Sequence, residues 1–164
     1  MTKLGIDKSR IKLKWPNDVL GDINGIPKKI SGILSESEQY TINGLPSVVA
    51  FVGIGINFDS KPTEDFCSIP DINNGKTIDR GEFLVEFFDN LNYYLHENEM
   101  HRALITTDKG QSEIVKEIQD VWMHSGQVVD VDSPELGTFK AKIAGLSKTG
   151  YLKVQTDTDT YEVN

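Results

Sequence analysis

Long apolar runs, paired cysteines, a surplus of positive charge and internal repeats are all missing from this 164-residue sequence. No apolar run approaches the roughly 18 residues a membrane-crossing helix needs, so nothing reads as a membrane span. The stretch MTKLGIDKSRIKLKW lacks the apolar core and small-residue cleavage site of a secretory signal. The single cysteine, Cys67, has no internal disulfide partner, which points to a reducing compartment and hence the cytoplasm. No histidine or basic cluster flanks it, so it reads as an unreactive loop or core thiol. A net charge of −8 argues against a nucleic-acid partner, since gripping phosphates takes a basic stripe. His96, His101 and His124 lack a metal-ligand spacing such as H-E-x-x-H and read as surface or helix-end residues. The charges of Glu97–Arg102 read as a solvated helix end.

What is present fits a soluble globular protein: 38% hydrophobic and 26% charged residues, in a chain long enough to bury a real core. Arg10–Trp15 alternates, with Ile11, Leu13 and Trp15 on one face, as a half-buried strand does. Pro16 stops the ladder, and Asn17-Asp18 is turn chemistry. Asn24-Gly25 predicts a two-residue hairpin joining Val19–Ile23 to Ile26–Glu38. SVVAFVGIGINF, Ser47–Phe58, is apolar almost throughout and predicts a strand covered on both faces. Pro62–Lys76 reads as an irregular loop. Asp79 and Glu82 have capping-box spacing, so a helix follows, with Phe83, Leu84, Phe87, Phe88, Leu91, Tyr94 and Leu95 as its core stripe. A second helix is expected from Ser112, burying Ile114, Val115, Ile118, Val121 and Trp122, with Gly126 ending it. After that, short alternating segments separated by turn residues suggest a small barrel. The expected domains are therefore residues 1–124 and 125–164.

Three stretches carry chemistry. A lysine beside a glycine on a strand sets a point charge where backbone also comes close to a ligand. Asn17 and Asp18 offer an amide and a carboxylate, suited to ribose hydroxyls or a magnesium-bound phosphate. In GIGIN, Gly53–Asn57, two residues without Cβ precede an amide that can donate and accept toward a purine edge. Each fragment alone is better explained by sheet packing and turns.

Together, KWPND (Lys14–Asp18), KKISGIL (Lys28–Leu34) and VGIGINF (Val52–Phe58) resemble the biotin protein ligases, or holocarboxylase synthetases. HSGQVV and GYLKV in the tail resemble their C-terminal SH3-like domain. The resemblance implies an α+β fold: part of a class II synthetase-like mixed sheet with helices, followed by an SH3-like β-barrel. It implies a ligase that joins biotin to ATP as biotinyl-AMP, with magnesium, and passes biotin to a lysine of a carboxylase's biotin carboxyl carrier domain. Lys29 then matches the lysine that contacts the biotinyl carbonyl and phosphate. Lys14, Asn17, Asp18 and Asn57 match the ATP and adenylate side, Asp18 with a magnesium role and Asn57 facing adenine. Gly32, Gly53 and Gly55 match positions where backbone approaches the ligand. Strand alternation sends Lys28 to the opposite face, where it is expected to matter little.

The resemblance covers the second half of the family's catalytic domain. The glycine- and arginine-rich loop that closes over biotin lies upstream of KWPND in the family and has no counterpart in this sequence. A C-terminal fragment, inactive without its N-terminal half, is therefore expected, with an exposed sheet edge that promotes homo-oligomers. Two alternatives stand beside it. One is a lipoate ligase-like acyl-adenylate enzyme, disfavoured by Trp15-Pro16 and GIGIN. The other is a non-catalytic module that binds a carrier protein or partner subunit.

Overall fold

A computed structural model describes residues 4–95, 115–134, 137–147 and 150–163. The chain forms two compact units, Met1–Asp79 and Arg80–Asn164.

The first unit is a four-stranded antiparallel sheet in the order β1-β2-β3-β4. Its strands are β1 (Ile11–Lys14), β2 (Asp18–Ile23), β3 (Ile26–Ile42) and β4 (Leu45–Ile56). Two hairpin turns set its register. Asn24-Gly25 has φ of 56° and 86° and joins β2 to β3 as expected; Asn43-Gly44 has φ of 52° and 78° and joins β3 to β4. Both pairs take the left-handed conformation that a tight hairpin requires and that Asn and Gly tolerate best. The Asp22 carboxylate accepts the Gly25 N–H at 2.6 Å and closes the first turn.

The region read as an irregular loop contains a short helix, α1 (Ile69–Ile72). The Asp71 carboxylate accepts both the backbone N–H and the hydroxyl of Ser68, at 2.7 and 2.8 Å, and so fixes its start. This helix packs against β2 at Gly21, where a Cβ would meet the Ile72 side chain at 2.4 Å and the Cys67 sulfur at 2.9 Å. Arg10 clips the same helix to the sheet. Its guanidinium donates to the carbonyls of Ile72 (2.9 Å), Asp71 (3.1 Å) and Asp22 (3.3 Å) and to the Asn74 side chain (3.2 Å). The small core of this unit includes Ile6, Leu20, Ile30, Cys67, Ile69 and Ile72. Cys67 is free and buried, as a core thiol, and burial pushes its pKa up.

Outside that core the β3–β4 hairpin is bare. β4, expected to be covered on both faces, is exposed along most of its length. β3 is its one hydrogen-bonded neighbour among the described residues, so an apolar run here marks a surface.

The second unit holds α2 (Arg80–Leu95), which starts where Asp79 and Glu82 predict. Its apolar stripe is not a core: Leu84, Phe88 and Leu91 are exposed, while Phe83, Phe87 and Tyr94 are half-buried. Residues 115–120 are helical, with Val115, Ile118 and Val121 half-buried and Trp122 buried. Ser112, Ile114, His96, His101 and the Glu97–Arg102 charges lie outside the described residues. Gly126 does not end this helix directly. It sits in the following turn with φ 77°, and its N–H donates to the Ile143 carbonyl at 3.1 Å.

A second antiparallel sheet follows in simple up-and-down order: β5 (Val128–Ser133), β6 (Gly137–Leu146), β7 (Leu152–Gln155) and β8 (Thr160–Val163). Val131, Ala141, Ile143, Leu146, Leu152 and Val154 form its buried face. The fold is thus α+β with two antiparallel sheets. An isolated parallel bridge joins Lys29 to Phe66.

Candidate functional site

A β-bulge builds the site. Asp18 pairs with Gly32 and Val19 with Ser31, but Leu20 pairs with Lys29, so Ile30 is an extra residue with no opposite number. Lys29 and Gly32 are three residues apart and in a regular strand point to opposite faces. The bulge re-aims Lys29 onto the face that carries Asp18 and Gly32, a common use of bulges beside functional sites. There Lys29 Nζ meets Asp18 Oδ1 at 2.5 Å. Beyond that ion pair, the buried Asp18 Oδ1 has no hydrogen-bond partner. The Asp18 side chain is 18% exposed and that of Lys29 37%, so one carboxylate oxygen is sequestered while the ammonium stays within reach of solvent.

Gly32 makes the pair fit. A Cβ at this position would lie 3.1 Å from both Lys29 Cε and Nζ and 3.6 Å from Asp18 Oδ1. A side chain here would push the ammonium aside.

The chain after β4 locks the bulge in place. Lys29 N–H donates to the Asp65 carbonyl at 2.9 Å, and Cys67 N–H donates to the Lys29 carbonyl at 3.0 Å. Asn57 adds its backbone N–H to the Ile30 carbonyl (2.9 Å) and its side-chain amide to the Lys29 carbonyl (3.4 Å). The Asn57 carbonyl accepts from Ile69, which ties this corner to α1.

A groove of about 690 Å³ opens along the strands beside this pair. Asn17, Lys29, Gly32, Gly53, Gly55 and Asn57 all contribute to its lining. Gly32 and Gly55 face each other across β3 and β4. A Cβ on Gly55 would meet nothing within 4 Å, and one on Gly53 only the Leu34 carbonyl at 4.0 Å. These two glycines are therefore not demanded by packing; they leave bare backbone along the groove.

Asn17 is held at the rim, its carbonyl accepting from Ile33 N–H at 2.9 Å. Asn57 commits one amide hydrogen to Lys29, which leaves a donor and an acceptor for a ligand. Lys14 lies across β1 from Asp18, but it is exposed and is not part of the groove lining. Phe66, absent from the sequence reading, also lines the groove and is exposed. The parallel bridge that brings it there spans 37 residues and left no local signal.

Among the described residues no group of three or more His, Cys, Asp or Glu side chains is arranged to hold a metal ion. Asp18 is one carboxylate, a set that suits magnesium only when phosphates complete its shell. His124 shares a hydrogen bond with Gln127 at 3.0 Å and packs edge-on near Trp122.

No family model matches the chain. Over 174 residues it is 28% identical to biotin–protein ligase 2 of Arabidopsis thaliana, covering 99% of this chain and 46% of that protein. The chain is similar to biotin protein ligases. Biotin–protein ligase 1, chloroplastic, of the same plant is 27% identical, with 99% and 42% covered. The apo biotin protein ligase of Aquifex aeolicus matches with a TM-score of 0.62 at 24% identity, over 93% of this chain and 62% of that one. The Aquifex enzyme in complex with biotin and ATP matches with a TM-score of 0.60 at 26% identity, over 93% and 58%. The chain thus spans less than half the length of the plant biotin protein ligases it matches.

Proposed function

We propose that this chain is the C-terminal part of a biotin protein ligase and that its groove handles the adenylate. The observation that carries this reading is the Lys29–Asp18 pair at the groove, set there by the bulge and cleared by Gly32. In the first step a biotin carboxylate oxygen attacks the α-phosphorus of ATP. The bond to the bridging oxygen breaks, and pyrophosphate leaves with the electron pair. Negative charge gathers on the phosphorus oxygens, and a fixed ammonium offsets it without having to reorganise. Lys29 supplies that ammonium and contacts the biotinyl carbonyl and the phosphate.

Asn17 and Asp18 serve the ribose and phosphate side, where Asp18 would hold a magnesium ion that offsets phosphate charge. Asn57 reads the adenine edge, and Lys14 adds charge from outside the groove. Gly32, Gly53 and Gly55 let backbone approach the ligand. In the second step a lysine amine of a carboxylase's biotin carboxyl carrier domain attacks the acyl carbon, releasing AMP and a proton. Residues 1–124 belong to the catalytic portion and 125–164 to an SH3-like module. The lone buried cysteine suits a cytoplasmic setting.

Pyrophosphate release with biotin, ATP and magnesium tests this, first for the chain alone and then with a separately made N-terminal half. We expect none from the chain alone and activity from the mixture. In that mixture Lys29→Ala slows adenylation by about 2–4 kcal/mol of lost transition-state stabilisation. Normal adenylation by that variant removes Lys29 from the chemistry. No release from the mixture favours the non-catalytic module, a reading supported by the bare apolar surface of β3 and β4.

A further inference from the structure

Lys28 precedes Lys29 and points the other way. Its ammonium donates to the Thr63 carbonyl at 2.6 Å, a short charge-assisted bond. Thr63 opens a compact turn: its N–H donates to the Phe66 carbonyl at 2.9 Å, and its hydroxyl accepts the Phe66 N–H at 3.1 Å. The residues on either side of Phe66 are the ones that bracket Lys29, through the Asp65 carbonyl and the Cys67 N–H. A continuous chain of bonds therefore runs from the Lys28 ammonium, through residues 63–67, back to both backbone groups of Lys29. The Cys67 sulfur closes it by donating to the Lys28 carbonyl at 3.4 Å.

We propose that Lys28 is a positioning residue for Lys29: it anchors the 63–67 strap, and the strap fixes the bulge that aims Lys29 into the groove. The proposal rests on the adenylate reading for its meaning in catalysis, but not for its test. It also reverses the expectation from alternation that Lys28 matters little. Facing away from the groove, Lys28 touches nothing a ligand would touch, yet the loop it holds supplies two of the bonds on Lys29. Phe66, at the tip of the same strap, lines the groove, so one anchor sets both the charge and the aromatic wall.

Magnetic resonance of the full chain without ligand is the test, comparing wild type with Lys28→Met, Lys28→Arg and Thr63→Val. Two signals report: hydrogen exchange at the Lys29 and Cys67 amides, and the Lys29 Nζ resonance, which depends on its ion pair with Asp18. Lys28→Met keeps the stem and loses the donor. It should speed exchange at both amides about fivefold, the effect of one lost hydrogen bond, and shift the Nζ resonance. Lys28→Arg keeps a cationic donor and should restore both signals, which a merely packed stem would not do. Amides of the β5–β8 sheet should not change in any variant. Wild-type exchange and an unmoved Nζ resonance in Lys28→Met overturn the proposal, as does equal behaviour of the Met and Arg variants. If Lys28→Met fails to fold, Lys28→Leu is read in its place with the same two outcomes. Thr63→Val removes the hydroxyl acceptor within the strap and should loosen the same two amides, and wild-type protection there overturns the strap. Failure of the adenylate reading is seen separately, as normal adenylation by Lys29→Ala.

Discussion

Val154 in β7 is wholly buried, whereas Leu34 in β3 is 71% exposed and Val48 in β4 is 68% exposed. All three are apolar residues in antiparallel strands, so strand type does not separate them. The difference lies in what covers the sheet. In the β5–β8 sheet, Val131, Ala141, Ile143 and Val154 are buried on one apolar face, and β8 adds half-buried Tyr161 and Val163 opposite Val154 and Leu152. The β3–β4 hairpin runs on past the part of the sheet that α1 supports, and nothing among the described residues lies over it. One sheet buries an apolar face, and the other presents apolar surface in the same unit as the groove.

The largest expected break of this contrast is in stability. Ile143→Ala opens a cavity in the buried face and should cost about 2–5 kcal/mol, read from urea denaturation of the β5–β8 sheet. Leu34→Ala, on the bare hairpin, should cost under about 0.5 kcal/mol. Equal costs would mean that the hairpin is covered in solution.

The next effect sharpens the groove side. Asn57→Ala removes an amide that faces the groove and braces the Lys29 carbonyl. It should weaken ATP binding by about 1–3 kcal/mol, measured by calorimetry on the chain reconstituted with an N-terminal half, with biotin affinity unchanged. A loss confined to biotin would put Asn57 on the wrong side of the site.

The smallest effect on stability carries the clearest effect on association. Val52 is exposed on the edge strand β4, and Val52→Lys adds charge where edge pairing would form. Unfolding should move by under about 0.5 kcal/mol. Sedimentation should shift toward the monomer. Unchanged sedimentation of a self-associating chain would move the contact away from β4.

The local chemistry was legible. Asn24-Gly25 announced its hairpin, Asp79 and Glu82 announced α2, and the three motif stretches supplied most of the groove residues. The Asn43-Gly44 turn carries the same signal as Asn24-Gly25 and was open to the same reading. Ser68 and Asp71, three apart beside Pro70, likewise marked α1 in advance.

Burial was not legible. The apolar run of β4 and the stripe of α2 look like core by every periodic rule, and both are largely exposed. Hydrophobic periodicity says which residues share a face; it does not say whether another layer exists to cover that face.

What the sequence determined by itself is thus what depends on a few neighbouring residues: left-handed turns that Asn and Gly permit, a helix start set by side-chain caps, and the residue types at the site. The tertiary structure alone decided the rest. The extra residue at Ile30 exists only as a mismatch between two strands, so no reading of one strand reveals it. Because it reverses alternation locally, it places Lys29 against Asp18. The Thr63–Cys67 strap reaches Lys29 across more than thirty residues of chain, through backbone bonds that carry no side-chain signature.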